Sequence, residues 1–120
     1  MLILSCSAEQ TSVFFPNLKD GQKISSPFKL QMGVKGMQIK PAGKFEEGTG
    51  HHHLIIDKKF LQKGTVVPAD TQHIHFGKGQ TEYDLKLSPG KHSLTLQFAD
   101  GLHRSYGQEL SKSITVVVEQ

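Results

Sequence analysis

Apolar and polar residues alternate with a period of two over several short stretches of this chain. One stretch lies between Phe28 and Val34, where apolar residues at even positions alternate with polar residues or glycine. A second lies between Leu94 and Phe98, and the chain closes on a β-branched run, residues 114–118. Such alternation indicates strands with one buried face, and no stretch has a helical period. The pattern predicts an all-β domain.

Turn signals separate these runs at intervals of about ten residues, which is typical of a β-sandwich. The Ser-Pro-Gly-Lys turn at 88–91 predicts that a strand over 81–87 and a strand over 92–98 form an antiparallel hairpin. A glycine-rich stretch at 41–50 predicts a long loop with a functional reason for its length. The expected fold is an antiparallel β-sandwich with an immunoglobulin-like arrangement.

Length and charge narrow the class of protein further. The 120 residues suit one domain, which we place at 11–120 after a tether over 1–10. The formal charge of +3 arises from 14 Lys and Arg against 11 Asp and Glu, without a basic run. Arg104 is the only arginine and tryptophan is absent, so nucleic acid is not an expected partner.

The first six residues bear on localisation. Cys6 follows a short apolar run that ends in a small residue, as at the cleavage point of a bacterial lipoprotein signal peptide. Residues 1–10 are therefore interpreted as a signal-peptide remnant and tether, with Cys6 as a candidate lipidation site. A floppy apolar terminus is the alternative. Contact with a membrane is expected only through such an anchor, in the periplasm or cell envelope.

Five of the seven histidines lie in two clusters, residues 51–53 and positions 73 and 75. In the first cluster, His52 shares parity with the apolar Leu54 and Ile56. Alternate strand residues face opposite sides, so His52 is expected on the core side, as a buried imidazole with a backbone partner. From there it would support the ligands without binding the ion. His51 and His53 then face away from the core.

The second cluster follows the same rule. Ile74 and Phe76 share one parity, which leaves His73 and His75 on the non-core face. Were the two strands neighbours, four imidazoles would lie within about 5 Å across the strands and could bind one divalent metal ion. The predicted ligands are His51, His53, His73 and His75. The alternative is a solvent-facing polar ladder with cross-strand hydrogen bonds.

Three further residues are candidate ligands. Met37 lies where a strand gives way to a loop, and a thioether would favour copper, particularly Cu(I), although ordinary packing explains it as well. Asp57 shares parity with His53 and is either a carboxylate partner or a strand-end cap. His103 lies in a polar loop that could reach one end of the sheets, although its sequence context alone favours a surface position.

Several motifs together resemble a bacterial family of small secreted domains of unknown function. The resemblance runs from about Val13 to Val118 and rests mainly on the strings GHHHLIID at 50–57 and HFGKGQTE at 75–82. It implies an export signal and a compact β-rich domain, and it names no activity. The sequence departs from the family pattern between Ala99 and Lys112, where relatives are richer in proline and histidine. That departure weakens the case for His103 as a ligand.

These observations predict a periplasmic or surface-anchored metal-binding protein that handles copper or zinc and catalyses no reaction. Its partners would be the metal ion and a periplasmic or envelope protein. The alternative is a non-catalytic adhesion or binding module, in which the 41–50 loop and the histidine face contact a protein or polymer. An enzymatic role has little support, because no catalytic triad order is present.

Overall fold

Ten strands and one short 3₁₀ turn form the part of the chain that the structure describes, residues 10–120 of a computed structural model. Cys6 and its candidate lipidation lie outside these residues. No helix within residues 10–120 has the length and apolar character to cross a bilayer. The strands are β1 Ser12–Phe14, β2 Gln22–Ile24, β3 Phe28–Gln31, β4 Gly33–Lys35, β5 Gln38–Ile39, β6 Thr49–Ile56, β7 His73–His75, β8 Glu82–Leu85, β9 Gly90–Ala99 and β10 Ser111–Val118, with the 3₁₀ turn at Gln108–Leu110.

The largest sheet has six strands and carries both histidine clusters. Its order is β2-β10-β9-β6, and the free side of β6 is shared by β5, which pairs with residues 49 and 50, and β7, which pairs with residues 53–55. Strands β1 and β4 form one further pair, and β3 and β8 form another. The prediction of an all-β sandwich is confirmed. Two pairings, β2 with β10 and β5 with β6, are parallel rather than antiparallel.

The predicted hairpin around residues 88–91 is wrong. Strand β8 pairs with β3, whereas β9 lies between β10 and β6 in the large sheet. The turn therefore carries the chain from one sheet to the other. Leu94, Leu96 and Phe98 of β9 are fully buried in the common core, and a central strand of the large sheet gives them neighbours on both sides.

Strand β6 and the second half of β9 are buried on both faces of the large sheet. Leu54 belongs to the hydrophobic core, while Ile55 points to the opposite face and is also fully buried. The irregular connection between β6 and β7, residues 57–72, covers this second face. Side chains of β9 hold the connection in place: Gln97 accepts a hydrogen bond from the Leu61 amide at 3.0 Å, and the Thr95 hydroxyl donates to the Lys58 carbonyl at 3.2 Å.

An ion pair ties the end of β6 to β9. His92 contacts the Asp57 carboxylate through Nδ1 and the Ser88 carbonyl through Nε2, both at 2.9 Å. These acceptors, Asp57 first, raise the pKa of His92 against the opposing effect of burial. For Asp57, burial acts to raise the pKa, but the hydrogen bonds from His92 and the Ser93 amide lower it overall. Asp57 is thus a strand-end cap, and it does not join His51 and His53 as a carboxylate partner.

We expect Asp57→Asn to destabilise the protein more at about pH 6 than at about pH 8.5, by roughly 0.5–1 kcal/mol for this half-exposed pair. Because the pKa of His92 is raised by folding, its contribution is complete below the unfolded value and is lost as pH rises through the folded value. Asparagine tolerates the positive φ of 61° at this position. Urea unfolding of both proteins in chelator measures the difference, and an equal cost at the two pH values would contradict the pairing.

Candidate metal centre

The two histidine strands are neighbours in the large sheet. Strand β7 pairs antiparallel with β6 in a register that sets His53 opposite His75 and Ile55 opposite His73. On the other side of β6, His51 and His53 lie opposite Ala99 and Gln97 of β9. The predicted parity is therefore realised: His51, His53 and His75 share the face that the 57–72 connection covers.

A fourth imidazole comes from the turn after β9. His103 has a φ of 66°, and the preceding Asp100 stabilises this conformation by accepting hydrogen bonds from the amides of Leu102 at 2.8 Å and Arg104 at 3.0 Å. The His103 carbonyl accepts from the Val67 amide at 2.9 Å, which joins the turn to the covering connection. His103 thus points at the sheet from above it.

The glycine-rich loop at 41–50 braces this arrangement. The Gly43 amide donates to the Gly101 carbonyl at 3.0 Å, and the Ala42 amide donates to the Gly77 carbonyl at 2.8 Å. A Cβ atom at Gly101 would overlap the Lys44 carbonyl, so the close approach requires glycine. The loop therefore contacts both segments that carry ligand candidates, the turn with His103 and the residues after His75.

Four imidazoles converge at one point. One ring nitrogen from each of them lies within 4.8 Å of the corresponding nitrogens of the other three. Five of the six ring pairs have centroid distances between 4.6 and 5.1 Å, and His53 and His103 are 6.0 Å apart. The group comprises His51, His53, His75 and His103, and we call it the histidine group.

These distances indicate a tetrahedral arrangement. Rings around a tetrahedral ion with metal–nitrogen bonds of about 2.0–2.1 Å would have all six centroid pairs near about 5 Å. A square plane would have two opposite pairs near about 6.4 Å that share no residue. Only the rings of His53 and His103 are far apart, at 6.0 Å. The other two rings, His51 and His75, would be the second opposite pair of a square plane, but they are only 5.0 Å apart. Four imidazoles at these separations can bind a metal ion with small adjustments.

Burial leaves this group short of hydrogen bonds. His51 and His53 are 0% and 1% exposed, and neither Nδ1 atom has a hydrogen-bond partner among the described residues. The one short contact within the group joins His51 Nε2 to His103 Nδ1 at 3.3 Å. Buried polar atoms are normally paired, and each unpaired one costs about 1–3 kcal/mol. A metal ion would occupy the space toward which the imidazoles converge, so the residues fit such an ion.

Burial and neighbouring rings favour the neutral form of His51, His53 and His75, which is the form that binds metal. Burial first, and then the neighbouring His75 and His103, lower the pKa of His51 to about 4. Burial and the other imidazoles of the cluster lower the pKa of His53 to about 2. The pKa of His75 is also lowered, by burial and then by His103.

The structure corrects the predicted ligand set at His73. The register places this residue opposite Ile55, one strand repeat beyond His75 and away from His51. Its Nδ1 lies 2.6 Å from Asp70 Oδ1, and it is not in the histidine group. His103 takes the fourth position instead. Matching parity on two strands shows which residues share a face, but it does not give the register of the strands. Three of the four predicted ligands lie together, and His73 does not.

Two other candidates also lie outside the group. Met37 packs against the hydrophobic core, as in the packing alternative. His52 is on the core side, as predicted, with its ring 5.1 Å from that of Phe98. Its expected backbone partner is absent among the described residues, since both ring nitrogens are buried without a hydrogen bond. Burial first, and then His51, lower its pKa to about 4.

A small cavity of about 150 Å³ adjoins the histidine group. Three of the four imidazoles line it, and the connection between β6 and β7 contributes aliphatic residues to its wall, so the cavity is partly open to solvent. His51 does not border it and lies behind the other three. The lining residues are His53, His75, His103, Val66, Val67, Pro68 and Ala69.

Replacing Asp100 by alanine should destabilise the protein by about 1–3 kcal/mol, because buried amide donors would lose their acceptor. Asp100 is 5% exposed and also accepts a hydrogen bond from Arg104 Nε at 2.8 Å. His103 would lose its fixed position, so Zn²⁺ affinity should fall about tenfold as well. Urea unfolding and a competitive metal titration measure the two effects. Unchanged metal affinity would show that the turn does not need Asp100.

Comparison with known proteins gives a family and a fold. Residues 30–119 match the family described as "Domain of unknown function (DUF4399)", well over half of the chain. A search of curated proteins gives no match. Among solved structures, the chain is similar to an endo-β-1,4-mannanase from Thermotoga petrophila, with 17% identity and a TM-score of 0.51. This similarity covers 95% of the chain but 20% of the enzyme, and it shows a shared fold alone.

Proposed function

This chain belongs to the DUF4399 family, and because the description of that family leaves its function open, we propose one from the histidine group. The protein binds a single divalent metal ion, with zinc preferred over copper, in the bacterial cell envelope. The observation that carries the proposal is the convergence of four imidazoles at nearly equal separations, two of them fully buried. Its ligands are His51, His53, His75 and His103.

A polar ladder without metal does not account for these imidazoles. A ladder requires each buried ring to find hydrogen-bond partners in its neighbours or in the backbone. The described part of the chain supplies one ring-to-ring contact, at 3.3 Å, and leaves Nδ1 of both His51 and His53 unpaired. Coordination energy would compensate for this deficit, and the neutral rings of His51 and His53 would bind an ion without first losing a proton.

The ligand geometry favours Zn²⁺ over the two oxidation states of copper. Zn²⁺ prefers four nitrogen or sulfur ligands in a tetrahedron, whereas Cu²⁺ prefers a tetragonal plane. The soft ion Cu⁺ would be favoured by a thioether, but Met37 packs against the core and is not in the group. The four imidazoles are therefore best suited to zinc.

We propose binding rather than catalysis for this site. Histidine and aliphatic side chains line the cavity, so no carboxylate among its lining residues could serve as a general base. Glu46, in the loop that precedes β6, pairs with Lys40 at 3.0 Å and is not among the residues that line this cavity. Location in the periplasm or cell envelope, with a lipid anchor at Cys6, follows from the resemblance to secreted domains and from the apolar run before Cys6.

Metal titration of the purified domain tests the proposal. We expect one Zn²⁺ per chain with micromolar or tighter affinity, and weaker binding of Cu²⁺ than of Zn²⁺, the reverse of the usual order of their affinities. X-ray absorption of the zinc-loaded protein should show four nitrogen ligands at about 2.0–2.1 Å. Affinity no better than about millimolar for both ions, about 4 kcal/mol of binding free energy, would overturn it.

A further inference from the structure

The cavity beside the histidine group approaches the four ligands from one side only. His53, His75 and His103 border it, whereas His51 is fully buried on the far side. In a tetrahedral site these three imidazoles define the face opposite His51. That face also contains the longest edge of the group, the 6.0 Å between the rings of His53 and His103. The cavity therefore reaches the ligand set through the face opposite His51, which contains this longest edge.

Charge provides a second, independent argument. Four neutral imidazoles, two of them buried, would leave both positive charges of a bound divalent ion uncompensated by the protein. Asp100 is close enough to favour a positive charge on His51, but its carboxylate is already paired with Arg104 at 2.8 Å. The cavity lining offers no carboxylate. A negative charge would thus have to come from outside the protein.

We infer that the bound ion takes a small monovalent anion as a fifth ligand, through the His53–His75–His103 face and opposite His51. The inference rests on the proposed metal binding and adds a ligand to it. Zinc readily expands from four to five ligands, and an anion on this axis would leave three imidazoles in the equatorial plane. The anion would neutralise half of the charge of the ion.

The chemistry of the cavity wall, rather than its size, determines which anions are preferred. A volume of about 150 Å³ has room for a small polyatomic anion, since an apolar cavity of about that size holds benzene. Val66, Val67, Pro68 and Ala69 line it with aliphatic side chains that donate no hydrogen bonds. Weakly hydrated anions such as azide, thiocyanate and the larger halides should therefore be preferred over fluoride or sulfate.

Cobalt substitution tests this inference in solution. The full domain is loaded with one Co²⁺ in an anion-poor buffer and titrated with azide and then with thiocyanate. We expect a tetrahedral visible spectrum that weakens and shifts in a saturable way as the ion becomes five-coordinate. A spectrum that stays unchanged up to about 0.1 M azide, well above a millimolar dissociation constant, would overturn the inference while leaving metal binding intact. Failure to take up cobalt or zinc would overturn the proposed function itself.

Two matched variants test whether the anion enters through the cavity. Ala69→Phe places a ring at the cavity wall, and Thr71→Phe places the same ring at an exposed position on the same connection that does not line the cavity. We expect Ala69→Phe to weaken azide binding by about tenfold with Co²⁺ content unchanged, and Thr71→Phe to have no effect. Val67→Ala enlarges the cavity and should shift the preference toward thiocyanate. Equal azide affinity in all three variants would exclude this route.

Discussion

Replacing His53 by alanine should weaken Zn²⁺ binding by at least about a hundredfold, or roughly 3 kcal/mol. His53 is one of the two fully buried members of the histidine group: it is 1% exposed, and its ring lies 4.7 Å from His51 and 5.1 Å from His75. Alanine removes one of four ligands, and the remaining three keep the ion at lower affinity. A competitive titration with a chromophoric chelator measures the loss.

His73→Ala is the matched control for this experiment. His73 is a neighbour of His75 on the same strand and has the same side-chain parity, but it contacts Asp70 rather than the histidine group. We expect its loss to change Zn²⁺ affinity by no more than a few fold, although stability should fall because the buried contact with Asp70 disappears. A loss as large as that for His53→Ala would mean that the ligand set contains His73 and that the tetrahedral assignment is wrong.

Side-chain parity identified most of the site because the period of a strand is two residues. Leu54 and Ile56 mark the core side of β6, so the opposite face of His51 and His53 follows without knowledge of the tertiary structure. The same step places His52 toward the core, where it contacts Phe98. Parity cannot give the register between two strands. The offset that pairs His53 with His75 and moves His73 out of reach depends on the tertiary pairing.

The sequence could not identify His103 as a ligand, for a different reason. Its position depends on a left-handed turn held by Asp100 and on the 41–50 loop that packs against Gly101. The turn has no hydrophobic periodicity that would reveal it, and the loop contact joins segments that are far apart in sequence. The Asp-Gly-Leu-His-Arg string at 100–104 is the available signal, since aspartate before glycine favours a turn.

Burial of the histidine face was also not visible in the sequence pattern. Alternation suggested a solvent-facing side, yet the 57–72 connection covers it through contacts with Gln97 and Thr95. Polar residues at these positions of β9 are consistent with either exposure or hydrogen bonding to a covering segment. Burial matters for function, since it removes the water that would otherwise satisfy the imidazoles and screen an ion.

The metal-free protein should lose several kcal/mol of stability when pH falls from about 7.5 to about 5. Folding lowers the pKa of His51 and His52 to about 4 and that of His53 to about 2, against an ordinary value of 6.5. The unfolded chain therefore takes up protons first, beginning as pH falls through about 6.5, and each proton taken up only by the unfolded state favours unfolding. At pH 5 each of these groups costs roughly 2 kcal/mol, a large share of the 5–15 kcal/mol that typically stabilises a domain.

Urea unfolding in chelator at several pH values measures this loss. His53→Gln should reduce the slope of the unfolding free energy against pH by the equivalent of about one proton, because it removes a group that titrates only in the unfolded chain. His92 works in the opposite direction, since folding raises its pKa, but it is one partly exposed group against three buried ones. Added Zn²⁺ should stabilise the protein most near neutral pH and lose its effect on acidification, as protons and metal compete for the same nitrogens. A metal-free stability that is flat between these pH values would show that the imidazoles are protonated or solvated in the folded protein, and the buried, neutral ligand set would then be wrong.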